Sequence, residues 1–326
     1  MIDISFIIVN WNTKDLLRQC IESLIEQSDH YRSEIIVVDN GSTDGSVQIV
    51  ENCYREIRLI RNGENLGFSK ANNIGIRESN GRYVCIVNSD IKVLYGIDSM
   101  LDFMEQHPDI GVLGPRTLNS DLSLRHNCRK FPNLWNTLCL ALSLHKIWPK
   151  SSMFSGTLMT YFPHDEIKNV DVLPGCFLML RREALEQVGL LDERFFIYGE
   201  DKDWCRRFWK SSWKVVFFPL AEVIHFAKAS SSKAPSRFAK EKQKANYQYW
   251  QKHHRWLSLK IFLSIMIFHH SIRFIILLFV YLIRHGERKI ISMRIASSAA
   301  CALWSLNHFV LGKFSIHNKP RKSNAY

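Results

Sequence analysis

Short runs of β-branched and aromatic residues alternate with helical patterns over the first ninety positions. Residues 4–9, 34–39, 57–61 and 82–87 read as strands bounded by polar and glycine-rich turns. Between the first two, Leu16, Leu17, Cys20, Ile21, Leu24 and Ile25 recur at i, i+3, i+4 spacing and give a helix with one apolar face. The order β-α-β-α-β-α-β predicts an α/β fold with a mainly parallel sheet flanked by helices. Ligands of such sheets bind beyond the carboxyl ends of the strands. Further along, residues 172–180 read as a buried strand, 182–187 as a short helix, 200–210 as another helix and 213–218 as a last strand. Residues 115–170 mix Pro, Trp and His with weak periodicity and read as an insert over the sheet. After His225 the composition shifts, and residues 230–236 (SSSKAPS) mark a linker, so the boundary is placed between 228 and 229.

The polar residues collect where the fold class puts a ligand. Asn10-Trp11-Asn12 follows the first strand and Asp39-Asn40-Gly41-Ser42-Thr43-Asp44-Gly45 the second. The third ends in Asn62-Gly63-Glu64-Asn65-Leu66-Gly67, the fourth in Asn88-Ser89-Asp90, and His225 closes the last. No G-x-G-x-x-G follows the first strand and no G-x-x-x-x-G-K-[ST] occurs, so dinucleotide and P-loop chemistry lack their residues.

Composition changes this picture in two ways. A chain of 326 residues with 46% apolar content buries a full core, and its eight cysteines form no C-x-x-C pair, which argues against a disulfide framework or structural zinc and fits a reducing compartment. The N-terminus carries Asp3 where an export signal needs base, and its apolar run is too short for one. The net charge of +12 divides unevenly. Residues 226–326 hold 18 Lys and Arg against two acids, whereas the first 225 hold 25 against 29.

The basic tail is also apolar. Residues 261–268 and 274–283 flank His269-His270-Ser271-Ile272-Arg273, so a span of about 20 apolar residues would place two histidines and an arginine near its middle, which disfavours crossing a bilayer. Helices lying in the interface, with Lys and Arg toward anionic headgroups, fit better. The other reading is a helical hairpin packed on the domain or on a second subunit. So many Leu, Ile and Phe beside the charges exclude a nucleic-acid tail.

Five stretches then point to a family: FIIVNWN (6–12), VVDNGSTDG (37–45), NLGFSKANNIGI (65–76), VNSD (87–90), and PGCFLMLRREAL (174–185) followed by VGLLDERFFIYGED (188–201). In this order they resemble the family 2 glycosyltransferases, and within them the bacterial rhamnosyltransferase-like branch. The resemblance covers residues 4–225. It implies the GT-A fold, a nucleotide-sugar donor, a divalent cation (Mg²⁺ or Mn²⁺) and an inverting transfer. The domains become a catalytic domain, 1–228, with a nucleotide-binding half (1–95) and an acceptor half (96–228), followed by a basic apolar tail, 229–326. The expected partners are the donor, a saccharide or lipid-linked saccharide acceptor and the anionic inner face of the cell membrane, without nucleic acid. The expected location is cytoplasmic and peripheral to that membrane.

The resemblance also implies roles. Asp39 matches the base-contacting acid, with turn capping as its alternative; Asn10 and Asn12 line the same slot or only the turn. Asn65 and Gly67 open a helix whose N–H groups and dipole favour the nucleotide, while Asn72 and Asn73 hold local backbone. The family's Asp-x-Asp turn stands here as Asn88-Ser89-Asp90, leaving Asn88 to touch the ribose without charge and Asp90 to bind the metal with phosphate and water. His225 matches a metal- or diphosphate-binding histidine, although Ala227-Lys228-Ala229 replaces the glycines usual after it. Asp201 matches the base that takes the acceptor proton, Glu200 orients it or the acceptor, and the alternative for Asp201 is a helix cap. Gly175 and Cys176 resemble the acceptor-side loop, and residues 128–132 (CRKFP) resemble a feature of the rhamnosyl branch, which makes dTDP-rhamnose the first choice of donor. The rival readings are a nucleotidyltransferase, which lacks its triphosphate loop here, and a membrane-bound scaffold without turnover, which Asn88 favours.

Overall fold

The computed structural model describes residues 2–27, 30–226, 235–283 and 288–311. Strands β1 (Ile4–Asn10), β2 (Ser33–Asp39), β3 (Arg58–Arg61) and β4 (Tyr83–Asn88) alternate with helices α1 (Lys14–Glu26), α2 (Ser46–Cys53) and α3 (Phe68–Arg77), within a few residues of the predicted bounds. The alternation then continues through β5 (Ile91–Tyr95), α4 (Ile97–Gln106) and β6 (Ile110–Leu118). The insert holds two short helices, α5 (Leu134–Ala141) and α6 (Leu144–Ile147), and the two-residue strand β7 (Lys168–Asn169). After it come β8 (Phe177–Arg181), α7 (Arg182–Val188), α8 (Glu200–Lys210) and β9 (Lys214–His225).

The strands form one sheet in the order β3-β2-β1-β4-β8-β6-β9-β5, with β7 beside β9. Its first half is parallel, as predicted; in the second half β8 runs antiparallel to both β4 and β6, and β5 antiparallel to β9, so the whole is mixed. Two bounds also move. The predicted strand at 172–180 begins only at Phe177, because Pro174-Gly175 breaks it and Val172 instead forms a lone bridge with Arg129. The last strand runs on past Phe218 to His225 through a register shift opposite Pro115/Arg116.

Both faces of the sheet are covered, so its central strands are apolar without interruption. Phe6 and Ile8 face α1 and its Leu17, Cys20, Ile21 and Leu24. Ile7, Ile36 and Val38 face the other layer, which includes Trp204, Cys205 and Phe208 of α8. On that side α3 lies so close to β1 that a Cβ at Gly75 would come within 2.3 Å of Ile7.

The chain forms two compact units, residues 1–249 and 250–326. Helix α9 (Pro235–His253) runs through the division, and its part in the first unit packs on α8: Lys202 donates to Asn246 at 2.9 Å and Arg206 to the Tyr249 hydroxyl at 2.8 Å. The predicted 228/229 boundary lies outside the described residues. In the second unit the two apolar stretches and the polar residues between them form a single helix, α10 (Trp256–Ile283), followed by α11 (Arg288–Leu311). The two pack as a hairpin, with Lys260 of α10 donating to the Phe309 carbonyl of α11. At 28 residues α10 is about 42 Å long, its mean hydropathy reaches 2.0, and by length and composition it could cross a membrane.

Candidate active site

Strand register brings the candidate residues to one edge of the sheet. Asn10 is opposite Asp39, Val9 opposite Asn88, Val87 opposite Phe177 (which follows Cys176), and Ile91 (which follows Asp90) opposite His225.

In the first half of this edge the polar groups hold one another. Asp39 is buried; its Oδ1 accepts from Asn10 Nδ2 at 3.0 Å and its Oδ2 from the backbone N–H of Gly41 (3.1 Å) and Ser42 (2.9 Å). Turn capping therefore occurs, and it fixes the carboxylate rather than consuming it, since Oδ1 keeps a lone pair for an incoming donor. Asn10 is fully buried and spends both amide protons, on Asp39 and on Ser42 Oγ (3.0 Å), while its oxygen accepts from Thr13 Oγ1 at 2.7 Å. Thr13 in turn shares a 2.7 Å hydrogen bond with Ser89. Asn10 is thus a brace from β2 to the β4 turn, with no donor left for a ligand. Asn12, in the left-handed region at φ 55°, accepts from the Thr43 N–H at 2.7 Å and secures the same turn.

The Asn65–Asn73 stretch is tied to a distant segment of the chain. Asn65 Oδ1 accepts from the Gly67 N–H at 3.0 Å, and the next N–H, that of Phe68 at the start of α3, donates to the Phe196 carbonyl at 2.7 Å. A Cβ at Gly67, where φ is 84°, would lie 2.5 Å from that same oxygen, so glycine is needed there for the approach of another chain segment. Asn73 donates to the Leu191 carbonyl and Glu193 and accepts from the Leu191 N–H. Helix α3 is the anchor of the loop that leads into α8.

At the centre of the edge, Asp90 Oδ1 lies 3.2 Å from His225 Nε2, both largely buried. The Asn88 N–H donates to the Cys176 carbonyl at 2.9 Å, and the Asn88 side-chain amide makes no hydrogen bond among the described residues. Burial alone would push the His225 imidazole down, but the Cys176 sulfur and the Asp90 carboxylate, both hydrogen-bonded to it, raise it to about 10. An oxygen and a nitrogen at this separation match neighbouring ligands of one cation, which at bond lengths of ~2.1 Å stand about 3 Å apart. Among the described residues no His, Cys, Asp and Glu cluster of three or more has metal-binding geometry, so a cation here would take much of its shell from a ligand and water. Gly175 packs on the Phe68 ring, at 3.2 Å from a would-be Cβ, and the Cys176 sulfur is hydrogen-bonded to His225.

The second acidic centre opens α8. Gly199 caps the helix in the left-handed region, and Glu200, Asp201 and Asp203 fill its first turn. Glu200 is buried with Oε2 lacking a partner, and burial together with the neighbouring Asp201 charge raises it to about 8. Burial also raises Asp201, while Lys202 and Arg129 pull it back down. Asp203, wholly buried, pairs with Arg207 at 2.9 Å, and Arg207 also ties down the carbonyls of Val188, Gly189 and Leu190. Asp203 therefore secures the helix.

Arg129 is the residue missed as an individual. Its Nη1 donates to the carbonyls of His126 (2.6 Å) and Cys128 (2.8 Å), and its charge acts on both Asp201 and Cys176. The backbone explains the placement. Arg129 bridges Val172, Cys205 of α8 donates through sulfur to the Leu173 carbonyl at 3.8 Å, and Asp201 sits one turn before Cys205 on the same face. Arg206 stacks over the Phe131 ring at 5.4 Å and closes the contact. The CRKFP string was a visible signal, though nothing local in it tells that its arginine reaches α8.

Comparison with known proteins identifies the family. The model of glycosyl transferase family 2 matches residues 5–189, and the chain belongs to that family. It is 32% identical, over 68% of its length and 75% of the relative's, to the N-acetylglucosaminyl-diphospho-decaprenol L-rhamnosyltransferase of Mycobacterium tuberculosis. It is 28% identical, over 68% and 82%, to the rhamnosyltransferase WbbL of Escherichia coli. Among solved structures, the mannosyltransferase PcManGT of Pyrobaculum calidifontis, in complex with GDP-Man and Mn²⁺, covers 93% of this chain and 89% of its own at 14% identity and a TM-score of 0.52, a likeness of fold. The fold is GT-A and the protein a glycosyltransferase.

Proposed function

We propose that the protein moves a sugar, dTDP-rhamnose being the first-choice donor, with inversion onto a saccharide carried by a polyprenyl diphosphate, in cell-surface polysaccharide synthesis. One observation supports the reading: the Cys176 sulfur is hydrogen-bonded to His225, the neighbour of Asp90, and the Arg129 charge that acts on Cys176 also acts on Asp201 of the Glu200–Asp201 pair. The names of the two rhamnosyltransferase relatives support the donor, and the first of them supports the lipid-linked acceptor.

Asp39, held still by three donors, offers its remaining lone pair to an imide N–H on the base edge. Asn88 offers its amide to a ribose hydroxyl. Asp201 takes the proton of the acceptor hydroxyl as that oxygen attacks the anomeric carbon; the carbon–oxygen bond to the diphosphate breaks, and its electron pair leaves with the nucleoside diphosphate. Asp90 and His225 would hold Mg²⁺ or Mn²⁺, the imidazole favouring Mn²⁺. A bound cation supplies positive charge where the diphosphate departs. The α10–α11 hairpin would bring the enzyme to the inner leaflet, where such an acceptor resides.

The test is a panel of nucleotide sugars and lipid-linked acceptors with wild-type and Asp201→Asn protein. One donor should be turned over by wild type, and the nearly isosteric variant should be slower by about 10²–10⁴-fold, the usual worth of a positioned base. Unchanged transfer by Asp201→Asn would remove the base from this residue, and no transfer by wild type with any donor would leave a scaffold.

A further inference from the structure

The catalytic unit carries a second charge division. Residues 122–164 contain no acid and five Lys or Arg, although the first 225 residues as a whole are acidic by four. The α5–α6 hairpin in this acid-free segment also shows large apolar side chains to solvent: Trp135, Leu142, Ile147, Trp148 and Met153 are 43–62% exposed. Lys146 and Lys150 are exposed among them.

The patch is built on ordered structure. Asn133 and Asn136 form a reciprocal cap on α5, and the Asn136 side chain donates to the Phe131 carbonyl at 2.8 Å. Phe154 lies in tilted ring contact with Trp148 (5.1 Å) and Trp135 (6.0 Å), and the Trp135 indole N–H donates to the Met153 carbonyl at 3.0 Å. Solvent-facing tryptophans are therefore fixed in place, which no requirement of the core explains.

We infer that this face of the α5–α6 hairpin docks on an anionic bilayer surface, its tryptophans and Ile147 at the acyl boundary and Lys146 and Lys150 toward the headgroups. Aromatic rims with interspersed cations and no acids suit that boundary. A second copy of the chain fits less well, because a twofold contact would set these lysines against their own counterparts without an acid to offset them. The same rigid segment carries Arg129 and Phe131, so docking would hold the acceptor side of the site close to the headgroup layer. The inference stands apart from the assignment of Asp201, since it needs no turnover to be observed.

The experiment uses the full chain in nanodiscs of anionic phosphatidylglycerol or zwitterionic phosphatidylcholine with brominated acyl chains, reading tryptophan emission. Wild type should be quenched more in the anionic discs, Trp135→Phe/Trp148→Phe should lose that extra component, and Lys146→Glu/Lys150→Glu should lose it with both tryptophans present. Circular dichroism melts confirm that these surface variants fold. Equal quenching of wild type and Trp135→Phe/Trp148→Phe in anionic discs would overturn the inference. So would a stable dimer split by Trp148→Glu with quenching unaltered, which would give the face to a second copy.

Discussion

Asp39 accepts three hydrogen bonds from groups fixed by β1 and by its own turn, whereas among the described residues the Asp201 side chain accepts one, from the neighbouring Lys202 N–H. Beside Asp201, Glu200 keeps one oxygen buried and unpartnered. Both centres belong to the candidate site. The first half satisfies its polar atoms internally and so presents a rigid seat; the second withholds partners, which raises carboxyl pKa values and leaves a base hungry for a proton. We propose binding for the satisfied half and chemistry for the unsatisfied one.

Four substitutions press on this contrast. The largest effect is expected for Asp90→Asn, which removes the only carboxylate of the central pair: affinity for Mn²⁺ should fall about 10–100-fold by calorimetry, with activity following. A metal titration indistinguishable from wild type would dissolve the pair as a cation site. Arg129→Met comes next. Its charge lowers Asp201, so its loss should move the acid limb of the pH–rate profile to higher pH, slowing transfer about tenfold below that limb and little above it. A uniform loss at every pH would make Arg129 structural only.

In the satisfied half, Asn10→Ala strands Thr13 and one oxygen of Asp39, and should cost about 1–3 kcal/mol of stability and raise the KM for donor while kcat changes little. Denaturant melts and steady-state kinetics check it; a fall in kcat with an unmoved KM would break the division of labour. Smallest is Glu200→Gln. Because folding raises the Glu200 pKa, the native state keeps a proton that the unfolded chain loses, so this group weakens the fold as pH climbs from the ordinary carboxylate range to about 8. Glutamine should flatten that decline, read as urea midpoints at about pH 5 and about pH 8.5. Equal slopes in both proteins would mean that Glu200 ionises normally.

The contrast also explains what could be read in advance. The satisfied half is local in sequence: each strand, its turn and the next helix form one stretch, so Asp39 and Asn10 announce themselves by following β-branched runs. The other half is assembled at long range. β6 enters the sheet because Leu113 pairs with Met179 and Val216, and β5 turns back because Ile91 pairs with His225; no nearby residue specifies either partner. Gly67 was legible as special but not for its reason, since the segment that needs its missing Cβ lies about 130 residues on. Arg129 was hidden likewise, inside an insert without periodicity. Helix α10 carries His269, His270 and Arg273 at its centre with no break in its backbone.

The contact of Phe196 with the start of α3 has a bearing on how such enzymes can be recombined. Donor and acceptor halves look separable at residue 95, but the strap entering α8 is fastened to Gly67, Phe68 and Asn73 on the donor side. A chimera that imports a foreign acceptor half must bring α3 along with it, or a sequence that already fits this fastening, because otherwise the imported base would hang from a helix cut for another strap.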